Sequence, residues 1–160
     1  MSSLIAVILL FAALFFVSYI TRRRYGVLGL ALAAGALLSA NWASTLTPFL
    51  EKQGIVLIAP PLSSLVQIAL ILIPPFALLF SGPMYTKLLP RIIGSLLFAV
   101  LAMTFSTDIL ASILVLNGPT STLFQTLHDN QSFIIVIGLV AALVDVLLTG
   151  KHKSRAESKK

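Results

Sequence analysis

Residues 2–20 pass without a single charge, and three arginines then follow in succession at Arg22, Arg23 and Arg24. As a helix the apolar run rises about 28 Å, close to the ~30 Å hydrocarbon core of a bilayer. A cleavable signal peptide carries its cations before the apolar core and small residues at its exit, and here the order is reversed. The segment reads as a retained span. Because cations resist translocation, its N-terminus is expected outside and the arginines in the cytoplasm.

Composition removes the soluble alternatives. Of the 160 residues 58% are hydrophobic and 10% charged, against about 25% charged in ordinary soluble domains. A handful of spans would use most of this length, so no soluble catalytic domain is expected. The chain has no cysteine, which leaves no disulfide, thiolate chemistry or zinc ribbon. The net charge of +6 is read as membrane orientation and not as nucleic-acid binding.

Four further apolar runs follow. In residues 26–45, Ala31, Gly35, Ser39 and Ala43 recur every four residues, a stripe that lets a neighbouring helix approach closely. Asn41 and Trp42 mark its outer end, while Tyr19, Tyr25 and Tyr85 fall near the inner face. Residues 46–61 hold Pro48, Glu51, Lys52, Gly54, Pro60 and Pro61, too many interruptions for a span. There Leu46, Phe49, Leu50 and Gln53 have the spacing of a short amphipathic helix on the outer surface. Residues 55–59 either dip into the bilayer or extend the next helix. In the third run, residues 62–81, Pro74 and Pro75 predict a kink or local unwinding, and Gln67 is the one strongly polar side chain.

A turn at 82–90 carries Lys87, and Arg91 opens the fourth run, residues 92–116. At ~37 Å it exceeds the core, so it is expected to tilt, protrude or break, a break falling at the polar residues 104–108. Residues 117–132 read as a polar loop turning at Gly118-Pro119 and containing the sequon Asn130-Gln131-Ser132. In the fifth run, residues 133–149, Gly138, Ala142 and Asp145 share a face. The tail, residues 151–160, is basic and expected to be disordered.

The fold class is therefore all-α: a polytopic membrane protein of about five transmembrane helices, with a single domain over residues 1–150 and a basic cytoplasmic tail. An outer N-terminus and inner C-terminus place Arg22, Arg23, Arg24, Lys87, Arg91, Lys151, Lys153, Arg155, Lys159 and Lys160 inside, 10 of the 11 Lys and Arg, with Lys52 outside. These cations are the topology determinants, and anionic lipid head groups at the inner face are their expected partners.

The succession of a first span, an arginine loop, a small-residue-rich second span, an outer amphipathic segment, a third span, a basic turn and a fourth span opening Arg91-Ile92-Ile93-Gly94 resembles the bacterial colicin V production protein family. The resemblance is one of layout and covers roughly residues 1–105. It implies a small bacterial inner-membrane protein linked to toxin production and envelope maintenance, without established catalysis. Arg24-Tyr25-Gly26 stands where that family has an adjacent Arg-Gly, and a fifth span is added, so no functional residue is carried across.

No catalytic motif is present in the sequence. His128 and His152 fall on opposite sides of the expected topology and cannot share a metal. No enzyme activity, cofactor or metal is expected. Two classes of function remain: a non-catalytic scaffold or accessory subunit of an envelope or secretion assembly, working with other membrane proteins or as a homo-oligomer, and a small oligomeric channel or ion-coupled transporter.

The second class rests on the kinked third span, on the two intramembrane carboxylates, Asp108 and Asp145, and on depth. Counted from Arg24 and Arg91, Asn41 and Asp108 both lie ~25 Å along their helices, and Gln67 lies ~22 Å from Gly82. With Thr104 and Thr107 nearby, these residues form a candidate intramembrane polar cluster, the alternative being that Asp108 only reaches headgroup water. Asp145, ~9 Å from the inner boundary, is expected to be structural, reaching interfacial water or pairing with a basic residue such as Arg91.

Overall fold

The computed structural model describes residues 2–54, 60–80, 84–85, 88–114 and 119–157. Six helices follow one another: α1 (Ser2–Thr21), α2 (Tyr25–Lys52), α3 (Leu62–Leu79), α4 (Leu88–Ile113), α5 (Pro119–Asp129) and α6 (Gln131–Glu157). Five of them are long and apolar enough to cross a membrane, α5 being the exception. Lys87 and residues 55–59, 81–83, 115–118 and 158–160 lie outside the described residues.

The centre of the bundle is α2 and α4. Helix α2 packs along α3 on one side and α6 on the other, and α4 touches α1, α2, α3, α5 and α6. Leu28 and Leu32 of α2, Ile71 of α3, Leu101 and Ala102 of α4 and Ala142 of α6 close the core. Helix α1 leaves α2 at once and packs on α4. The turn that allows this puts Arg22 in the left-handed region at φ 56°, where a non-glycine residue is strained by about 1–2 kcal/mol. Its carbonyl accepts the Tyr85 amide at 2.8 Å, beside an isolated antiparallel bridge from Arg23 to Met84. The two basic turns are thereby joined at one end of the bundle.

The small-residue stripe of α2 is a packing seam, with Ala31, Gly35, Ser39 and Ala43 all buried. At its tightest point the stripe meets the proline turn of α3. Lacking an N–H, Pro75 cannot donate to the Ile71 carbonyl one turn earlier. That carbonyl occupies the place a Cβ on Gly35 would take, and the Ile71 carbonyl carbon lies 2.8 Å from the same position. The backbone of α2 thus abuts the carbonyl to which Pro75 cannot donate. Helix α3 runs unbroken through Pro74 and Pro75, so of the expected kink or unwinding the unwinding does not occur.

Four other expectations are corrected. The outer amphipathic helix is not separate, because α2 continues through Pro48 to Lys52; Thr47 donates its hydroxyl to the Ala43 carbonyl at 2.8 Å in that stretch. Helix α4 does not break at residues 104–108: Thr104 and Thr107 are buried and their hydroxyls bond Val100 and Met103 of their own helix at 2.8 and 3.0 Å. A threonine that returns its proton to the preceding turn leaves no polar demand on the surroundings. The loop at 117–132 contains α5, whose Phe124 is buried against the core. The basic tail continues α6 as helix to Glu157.

Candidate functional site

The groups with most chemistry gather where the arginine turn meets α6. Helix α2 begins without a capping side chain of its own, its N-cap being Arg24. The first amides of a helix have no intrahelical partner, and here two are satisfied from elsewhere in the chain. The Tyr25 amide donates to the Tyr85 hydroxyl at 3.1 Å, and the Gly26 amide donates to Asp145 Oδ2 at 3.0 Å. Arg24 Nη2 reaches Asp145 Oδ1 at 2.7 Å, and the Tyr85 hydroxyl lies 3.4 Å from Oδ2.

Glycine makes this approach possible. A Cβ at Gly26 would lie 2.5 Å from the Ala142 carbonyl oxygen and 3.0 Å from Asp145 Oδ2, and one at Gly29 would lie 3.0 Å from the Ala142 Cβ. Gly138, Ala142 and Asp145 do form one face of α6, and it is turned onto α2. The Tyr25 hydroxyl closes the upper part of this contact by donating to the Gly138 carbonyl at 2.7 Å.

The electrostatics follow from these contacts. Arg24 and Asp145 side chains are 22% and 18% exposed, so the pair is shielded enough to matter yet open to interfacial water. The hydrogen bond to Asp145 is the main reason the Arg24 guanidinium holds its proton above the ordinary arginine value, against the opposing effect of burial. Burial raises the Tyr85 phenol above the usual tyrosine value. Arg24 also lies over the Tyr85 ring at 5.3 Å.

Arg91 is not the partner of Asp145. Its Nε donates to the Tyr19 carbonyl at 2.7 Å and its guanidinium stacks 3.8 Å over the Tyr19 ring, tying α4 to the end of α1. Arg23 Nε donates to the Leu79 carbonyl at 2.8 Å, at the end of α3, and Arg22 is exposed. The arginines therefore join α1, α2, α3, α4 and α6 at one end. The side chains of Lys151, Lys153 and Arg155 lie outside the described residues.

The polar cluster of Asn41, Gln67 and Asp108 is not assembled. Asn41 is exposed and bonds the Leu37 carbonyl of its own helix at 2.7 Å. Gln67 faces a groove of about 480 Å³ between α2 and α3 that Ser39, Thr47, Glu51 and Ser63 also line. Asp108 points out of the bundle, 3.1 Å from His128 Nδ1, each side chain 63% exposed. Thr104 and Thr107 stay inside α4, and the Thr104 carbonyl accepts Gln131 Nε2 at 3.3 Å, which fastens the start of α6 to α4.

A cleft of about 710 Å³ opens beside the ion pair, lined by Arg24, Tyr25, Met84, Tyr85, Leu89, Pro90, Ile93, Gly94, Leu97, Ala141 and Asp145. Sequence reasoning places Tyr85 near the inner face and notes Gly26 after Arg24-Tyr25, and assigns neither a role beside Asp145. The one signal for them is that Tyr25-Gly26 follows Arg24 where a helix begins. Among the described residues, no three His, Asp and Glu side chains come together as metal ligands would. No protein-family model, curated protein or solved structure matches the chain.

Proposed function

We propose that this chain is a non-catalytic scaffold or accessory subunit of an envelope or secretion-related assembly, seated in a bacterial inner membrane with its arginine end in the cytoplasm. The observation that carries this reading is how the polar groups at the arginine end are used. Arg24, Asp145, Tyr25 and Tyr85 bond one another and the backbone of α2 and α6, which makes them fasteners of a rigid bundle. The apolar flanks of α1 and α6 point away from it, with Leu9 64%, Ile137 65% and Leu147 68% exposed. In a membrane such flanks meet lipid or a partner's helices. The layout resemblance to the colicin V production family points the same way.

The channel or transporter reading drew on a shared polar cluster around Asp108, and Asp108 bonds His128 at the surface instead. Two measurements test the proposal together. Purification from native membranes in mild detergent is expected to bring a membrane partner in fixed ratio, and proteoliposomes of the pure protein are expected to pass no ions. Ion flux above that of empty liposomes would overturn it.

A further inference from the structure

The groove between α2 and α3 lies toward the end away from the arginines, walled by Ser39, Ala40 and Ser44 of α2 and by Ser63 and Gln67 of α3, with Glu51 at its mouth. Counted from Arg24, Ser39 is about 22 Å along its helix, the level of Gln67, so the inner part of the groove falls within a ~30 Å hydrocarbon core. Glu51, a further ~18 Å along α2, stands outside it. Ser39 is 8% exposed and turned into the groove, and neither its hydroxyl nor the Gln67 amide has a hydrogen-bond partner among the described residues. Other polar side chains at this depth bond their own helix, as Asn41 and Thr104 do. Residues 55–59, which follow the mouth in sequence, are Ile-Val-Leu-Ile-Ala and carry no polar side chain. Acyl chains offer a hydroxyl or an amide no partner either.

We infer that this groove is the interface of a homodimer, in which α2 of each copy enters the other's groove along Ala40 and Ser44. Both residues are exposed and stand one turn apart, so this edge of α2 carries no bulky side chain and two backbones can approach closely. Self-complementarity decides the occupant. Copies inserted by one charge rule share one orientation, so a two-fold axis between them runs along the membrane normal and each residue faces the level of its own equivalent. Inside the core the groove offers hydroxyls and one amide, each both donor and acceptor. Such groups can bond their own equivalents, which a carboxylate or an ammonium could not. At the mouth Glu51 is followed by the exposed Lys52, so opposite charges stand at one level and each copy offers the other a counterion. The inference needs only that the helices cross a membrane in one orientation, and it is independent of the scaffold reading, which a monomer would satisfy as well.

The test uses the full chain, which has no cysteine of its own. Ser44→Cys is expected to form a disulfide dimer on mild oxidation of native membranes, and Ile137→Cys, on the exposed flank of α6, is expected to form none. Energy transfer between labelled copies in phosphatidylcholine liposomes, diluted stepwise with lipid, gives the dissociation constant. Gln67→Leu is expected to raise it about tenfold, and Ala40→Phe, which thickens the entering edge of α2, by at least as much. Gln67→Asn keeps the amide and is expected to retain most of the affinity. Thermal unfolding in detergent identifies the folded variants; Gln67→Leu is expected among them, because an apolar side chain facing lipid needs no partner. A protein monomeric at every dilution, an unchanged dissociation constant in folded Gln67→Leu or Ala40→Phe, or Ser44→Cys joined to a different membrane protein in place of its own copy would overturn the inference.

Discussion

Asp145 caps a helix to which it does not belong: its carboxylate accepts the Gly26 amide at 3.0 Å while holding Arg24 at 2.7 Å. One acidic side chain thus accepts a first-turn amide of α2 and is the counterion of Arg24, the residue at its N-cap. Asp145→Asn retains an oxygen for the Gly26 amide and loses the charge, so a stability loss of about 1–2 kcal/mol is expected. Asp145→Leu removes both, and about 2–4 kcal/mol is expected, moderated by the partial exposure of the pair. Unfolding in mixed detergent micelles measures both, and a double-mutant cycle with Arg24→Gln gives the coupling. Partner binding in Asp145→Asn is expected to survive.

The contact between Gly35 and Ile71 leaves no space for a methyl group. Gly35→Ala is expected to push α2 from α3 and to cost about 1–3 kcal/mol, read as a lower unfolding temperature. Pro75→Ala returns a donor to the Ile71 carbonyl and changes the path of α3, so the two substitutions are expected to be non-additive.

Tyr85→Phe leaves the Tyr25 amide without its acceptor, and a loss of about 1–2 kcal/mol is expected. Because burial raises the Tyr85 value in the folded protein, the folded state keeps this proton to higher pH than the unfolded chain does. The resulting stability is present in full below about pH 10. It falls as pH rises through the raised folded value. Alkaline unfolding curves are expected to lose this part of their slope in Tyr85→Phe.

Asp108 and His128 form an exposed pair, and such pairs contribute about 0–1 kcal/mol. Asp108→Asn and Asp108→Leu are both expected to leave folding and assembly nearly unchanged. Abolished assembly in folded Asp108→Leu protein, followed by size-exclusion chromatography, would return function to this residue.

Orientation is testable on a background free of cysteine. Cysteine in place of Gln125, exposed on α5, is expected to react with an impermeant thiol reagent added to intact cells. Cysteine in place of the exposed Met84 is expected to react only after the membrane is opened.

Some of this was legible in the residues alone. Five spans are recognisable because lipid offers backbone groups no hydrogen-bond partner, so a long uncharged run has the helix as its solution. The stripe from Ala31 to Ala43 and the face from Gly138 to Asp145 are recognisable because a helix repeats its surface every three to four residues. Partners are another matter. Spacing along a helix fixes how deep a side chain lies and says nothing of which way it faces across the bundle. Asn41, Gln67 and Asp108 therefore share a level on paper, yet Asn41 and Asp108 bond elsewhere and Gln67 faces a groove between α2 and α3, and Asp145 takes Arg24 where depth allowed Arg91. Helix breakers mislead for a related reason: Pro48, Pro74 and Pro75 each remove one backbone bond, and whether a helix survives depends on what packs beside the gap. That depends on tertiary packing, and beside Pro75 it is Gly35 of α2 that lies against Ile71.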